Sequence, residues 1–301
     1  MAEDLAGALA AGERAAFHGR PAAGVEPLRQ AVEIAAAQGL PAEAAAAGWL
    51  LGVCLASAGR YGGALDVLDP LVAGDDSAES RVLAALASAT VASVHRQLGR
   101  HSVAQGYDER ALSGSGGGGE AGFDAFLGLA ADAVGLGDHA TASARLAEAA
   151  ALAEGRSEWW RQRVRLGWVR AEVALLEEQP DAAVAAAHEA VDLAEHSGAP
   201  RHVAKGLLFL GVGQLEAGRP DEAAAALRRA GLLAESLGTL PLLWPVRAVL
   251  GALLATDRPE DSARALDSAR GAVTAIADDL PEALRADWLG RPDVEALLQV
   301  G

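Results

Sequence analysis

Residues able to do chemistry concentrate in one stretch, SEWWRQRVRLGWVRAE, from Ser157 to Glu172. On a helix, Arg161, Arg165, Trp168 and Glu172 fall three or four positions apart and so share one stripe. Trp and Arg are among the side chains most enriched at binding hot spots. Such a stripe offers an aromatic anchor beside guanidinium groups that can pair with acidic groups on a ligand. A competing reading uses the same residues structurally. Trp160, Val164, Gly167 and Ala171 make an equally good buried face, and the arginines can pair with Glu154, Glu158 and Glu172 as a solvated one.

Catalytic and metal chemistry find no comparable pattern. None of the seven histidines forms H-E-x-x-H or joins a cysteine pair. His196 and His202 flank a turn and read as exposed. Cys54 is alone in an apolar run, which excludes a disulfide framework and makes it a small core residue. Gly114, Gly116 and Gly119 satisfy G-x-G-x-x-G, but they follow a helical run instead of a strand and lack a G-K-[ST] sequel. The stretch 113–119 therefore reads as a flexible surface loop, able to serve as a hinge. No convergent acid, base or nucleophile is found, so the chain is expected to be non-enzymatic, with no cofactor and no metal.

The elements that must position the stripe come from an internal repeat. Gly218–Gly238 reads GRPDEAAAALRRAGLLAESLG, and Gly19–Gly39, GRPAAGVEPLRQAVEIAAAQG, repeats its plan. Equivalent turns fall at Gly19, Gly59, Gly99, Gly137, Glu178, Gly218 and Asp257–Arg258, about 40 residues apart. Gly suits the left-handed residue that ends a helix. Pro21, Pro180, Pro220 and Pro259 suit the first turn of the next helix, where no N–H is needed. Glu178 breaks the glycine rule, which predicts a turn built differently there. Small residues recur where paired helices touch, including Gly52 and Gly211 before the turn and Ala64 and Ala223 after it.

These features resemble the tetratricopeptide repeat in a longer variant of about 40 residues. The resemblance rests on Leu51-Gly52, Gly59, Tyr61, Ala64 and Leu68, and again on Leu207, Leu210-Gly211, Gly218, Pro220 and Ala223. It implies an all-α, right-handed α-solenoid of about seven antiparallel helix pairs with a C-terminal capping helix. The units are expected near 2–39, 41–74, 77–112, 120–155, 157–197, 199–238 and 240–278, each touching mainly its neighbours. A turn at Gly74–Ser77, with Ser77 as N-cap, separates the second and third units. The cap spans 279–301, and its LPEALRADWLGRPDVEALL is similar to the tail that closes such repeats in large bacterial ATP-dependent regulators and cyclase-linked sensors. In this family the first helix of each pair lines the concave groove. Trp49, Trp168 and Leu208 then stand at matching places, each ten residues before its turn marker. The family's usual carboxylate clamp uses Lys and Asn, whereas this chain has one lysine, Lys205, and no asparagine.

The net charge of −16 argues against general nucleic-acid binding. The N-terminal MAEDLAGALAAGE is acidic where a signal peptide needs basic residues, and no apolar run reads as long enough to span a membrane. A cytoplasmic location is expected, and the Ala-, Gly- and Arg-rich composition suggests a bacterial source. The expected function is a scaffold that binds a protein or peptide, with an acidic segment as the favoured partner. The groove residues would be Trp49, Arg161, Arg165, Trp168, Glu172 and Leu208. The alternative is a sensory module that holds a small molecule or signalling peptide and relays it to a partner.

Overall fold

A computed structural model of the chain describes residues 2–73 and 78–299. The expected Gly74–Ser77 turn lies outside them. The described residues form seven consecutive antiparallel pairs: α1 (Ala2–His18) with α2 (Ala22–Ala37), α3 (Pro41–Ala58) with α4 (Tyr61–Ala73), and α5 (Ala78–Gln97) with α6 (His101–Gly114). Then come α7 (Gly119–Gly135) with α8 (His139–Ala153), α9 (Trp160–Leu176) with α10 (Pro180–His196), and α11 (Pro200–Glu216) with α12 (Pro220–Leu237). The seventh pair is α13 (Leu240–Leu254) with α14 (Pro259–Asp279). Two short helices close the chain, α15 (Glu282–Leu289) and α16 (Pro292–Gln299), where a single capping helix was expected. No strand occurs among the described residues.

Local backbone chemistry sets the pairs. Gly59 and Gly218 take left-handed φ values of 87° and 71°, and Pro180, Pro220 and Pro259 open the helices that follow their turns. Glu178 adopts φ 57°, so the fifth turn has the same construction as those at Gly59, Gly99, Gly137 and Gly218. The expectation of a different turn is corrected: the left-handed position is kept, and a side chain is forced into it. Close approach explains the glycines on the leading helices. A Cβ on Gly211 would lie 2.7 Å from Leu227 Cγ on the paired helix, and one on Gly52 would collide with Leu68.

Three further expectations change. The 113–119 loop shrinks to a four-residue turn, because α6 runs to Gly114 and α7 starts at Gly119. Its glycines permit this: Gly116 and Gly117 are left-handed, and the Gly117 N–H donates to the Leu112 carbonyl at 3.0 Å. Pro41–Ala58 is long and apolar enough to cross a membrane by length and composition. Inside the fold it serves as a core helix, burying Leu50, Leu51, Cys54 and Leu55.

The third change is the largest. The solenoid does not only stack neighbours; its first repeats also pack on its last. Thr239 Oγ1, just before α13, donates to the Ser57 carbonyl at the end of α3 (2.7 Å). Asp279, at the end of α14, accepts from the Gly63 N–H in the first turn of α4 (3.2 Å) and pairs with Arg60 (3.1 Å). One apolar cluster accordingly joins Leu55, Tyr61 and Leu68 to Val273 and Ile276. The cap completes it. Trp288 is fully buried, donates Nε1 to the Val273 carbonyl (3.1 Å) and meets Trp244 edge-on at 5.7 Å.

Candidate binding groove

The first helices of the central pairs face the interior of this closed superhelix. They carry charge there at a fixed register. Glu120 and Asp124 on α7 precede Arg161 and Arg165 on α9 by one repeat, and Arg201 and Lys205 on α11 follow by another. Each pair is four residues apart and so lies on one helix face.

The charges of α7 and α9 satisfy each other. Arg161 bonds Glu120 at 3.0 Å and approaches Asp124 at 3.5 Å, while Arg165 pairs with Asp124. Gln162 also donates to Glu120, at 2.6 Å. The carboxylate partners are therefore acids one repeat earlier, where the solvated-face reading had put Glu154, Glu158 and Glu172. A second network lies deeper. Arg96 on α5 bridges Asp132 (2.8 Å) and Asp108, and His101 reaches Asp132 at 3.1 Å. Burial pushes the Asp108 carboxyl well above its ordinary range, against the pull of Arg96. Its buried Oδ1 has no hydrogen-bond partner among the described residues, as a protonated acid permits.

Trp168 is buried and stacks on His202 at 5.3 Å with the planes 25° apart. Trp160 meets that imidazole edge-on at 5.3 Å, and His18 of α1 lies against Trp160 at 5.2 Å. His202 is thus enclosed, correcting the expectation that it is exposed: closure of the superhelix brings α1 onto α11. Burial, then the nearby Arg201, hold it well below its ordinary pKa and keep it neutral. Glu172 on α9 is raised above the usual carboxylate range by burial, with Lys205 pulling it back.

Of the residues expected in the groove, Arg161, Arg165, Trp168 and Glu172 are brought together on α9. Leu208 is half-buried against the same apolar cluster as Trp168. Trp49 is placed elsewhere. It packs on the cluster joining the first and last repeats and donates Nε1 to Thr90 Oγ1 at 3.1 Å. Sequence reasoning passed over Arg201, Lys205 and the α7 acids. The signal was available as the repeat itself, since Arg201 and Lys205 stand 40 positions after Arg161 and Arg165.

No protein-family description matches the sequence, and neither does any curated protein. Solved structures do. A Rap protein in complex with a competence and sporulation factor superposes with a TM-score of 0.66 at 12% identity, covering 93% of this chain and 79% of that one. Aspartyl phosphate phosphatase F from Bacillus subtilis gives a TM-score of 0.51 at 12% identity, covering 99% and 82%. At that identity the likeness is one of fold. The class so defined is a tetratricopeptide-type α-solenoid.

Proposed function

We propose that this chain is a non-catalytic cytoplasmic scaffold that takes a protein or peptide segment into the interior of its superhelix. The carrying observation is the charged ladder on α7, α9 and α11, set beside Trp168. A solenoid evolved only to stack would fill that face with apolar side chains, because buried ion pairs are weak contributors to stability. Polar groups that orient a ligand against an aromatic wall are the ordinary make-up of a binding site. The Rap structure, complexed with a separate factor, supports the reading by showing that a chain of this shape accommodates a partner.

A second reading is a sensory module of the kind suggested by the Leu280–Leu298 tail. It is favoured by the contacts of Asp279 with Arg60 and Gly63, which join the two ends of the solenoid. A ligand that bound inside would be felt at that seam.

The test is crosslinking capture from the native host, with wild type against an Arg165→Gln/Glu172→Gln variant whose helicity and melting are unchanged. Partners retained by wild type and lost by the variant support the scaffold. Capture of identical partners by both baits removes the interior from recognition. Capture of none by either bait turns the reading to the small-ligand sensor.

A further inference from the structure

The interior cations of α9 have carboxylates, whereas those of α11 do not. Among the described residues Arg201 and Lys205 make no ion pair, and Arg201 Nε is buried without a hydrogen-bond partner. Lys205 Nζ lies 4.8 Å from the centre of the Trp168 ring and 5.7 Å from that of Phe209, with Glu172 acting on it as an opposing charge and not as an ion-pair partner. Five carboxylates share the interior with these two cations and with Arg96, Arg161 and Arg165. Glu120, Asp124 and Asp132 are engaged by the arginines, Asp108 is driven toward its neutral form, and Glu172 stands off Lys205 without an ion pair. Positive charge is thus in excess inside a chain whose net charge is −16. Fixed cations left without a direct ion pair in a partly desolvated site are costly unless an anion completes them.

We propose that Arg201 and Lys205 form a binding site for an oxyanion, the carboxylate or phosphoryl group of the interior's occupant. Arg201 supplies planar, directional donors and Lys205 a point charge one turn further along the same face. The neutral His202 and Trp168 wall the site and exclude water. This deepens the scaffold reading and rests on it for the occupant, while the site itself can be tested with no partner present.

The experiment is thermal unfolding of the full chain in sodium phosphate, sodium acetate or sodium chloride at one ionic strength. Wild type is compared with Lys205→Met, Arg201→Met and Lys205→Arg. In wild type, phosphate or acetate is expected to raise the melting temperature above the chloride value by about 2–4 °C. Response to acetate alone assigns a carboxylate, and response to phosphate alone a phosphoryl group. Both Met variants should fold with an equal or higher melting temperature in chloride and lose the anion response, and Lys205→Arg should keep it. An outer-face control, Arg163→Gln, should behave as wild type. Equal melting of wild type in all three salts overturns the proposal, as does an anion response that survives in both Met variants. Neither result depends on partner capture, so failure here is separable from failure of the scaffold.

Discussion

Arg165 and Lys205 occupy the same position on successive leading helices, yet among the described residues only Arg165 has a carboxylate partner, Asp124. Lys205 instead rests against the Trp168 ring at 4.8 Å. One repeat of displacement turns a paired cation into an unpaired one.

Stability should record this difference through pH. Burial lowers Lys205 from 10.5 to about 8, with Glu172 opposing and with Arg165, Arg201 and Arg96 adding to the shift. Between those two values the unfolded chain binds the proton that the folded chain has lost, so this residue makes stability rise with pH from about 8 to 10.5. Below pH 8 its penalty is fully present. Lys205→Met is therefore expected to exceed wild type at pH 7 by on the order of 1–2 kcal/mol, after allowing for the lost ring contacts. Urea unfolding at pH 7, 8.5 and 10 should show the gap closing. A gap independent of pH would remove Lys205 as its source.

Asp124 holds two arginines, so its loss should be felt more than that of a surface acid. Asp124→Asn is expected to lower stability by about 2–4 kcal/mol, because Arg165 is left desolvated without a counter-ion. Asp124→Leu with Arg165→Met should recover most of the loss. If the double variant is no better than the single one in denaturant unfolding, the pair's charge is not what matters.

The fifth turn offers a gain. Glu178 is the one non-glycine residue with positive φ among those described, at 57°. Glu178→Gly relieves a left-handed strain of about 1–2 kcal/mol and adds unfolded-chain freedom worth somewhat less. A net stabilisation of about 0.5–1 kcal/mol is expected in chemical denaturation. A loss instead would mean that the Glu178 side chain contributes more than its backbone costs.

Close packing within pairs predicts the opposite sign at Gly211. A methyl group there would sit 2.7 Å from Leu227 Cγ. Gly211→Ala should cost about 1–3 kcal/mol, and Leu227→Ala in the same chain should couple favourably with it. Strict additivity in a double-mutant cycle would contradict the contact.

What the sequence made legible was local. Gly59, Gly218 and Pro220 announce their turns through backbone chemistry that needs no tertiary partner, and the pair architecture follows. The α9 stripe was legible for the same reason, being one helix read at helical spacing. Lys205 was counted only as the chain's single lysine, too little for the family's usual clamp, although the repeat carries Arg165 onto it. His202 was misplaced because its burial is set by tertiary contacts, Trp160 and Trp168 of α9 against its ring and His18 of α1 over Trp160. The meeting of Gly63 with Asp279 across 216 residues has no sequence signature at all. Gly62 beside it hints only in retrospect, since a Cβ there would collide with the Asp279 carbonyl.

That meeting changes how the chain should fold. An open repeat array behaves as a one-dimensional string, in which any repeat can nucleate and its neighbours zip on, and end repeats fray independently. Here the second and last repeats share a core that forms only after the chain has come full circle, so the loop entropy of more than two thirds of the sequence is spent before Ile276 can meet Tyr61. Folding is expected to be slow for a helical protein and unfolding cooperative from end to end. Removing the last repeat should loosen the second one as much as its own neighbour.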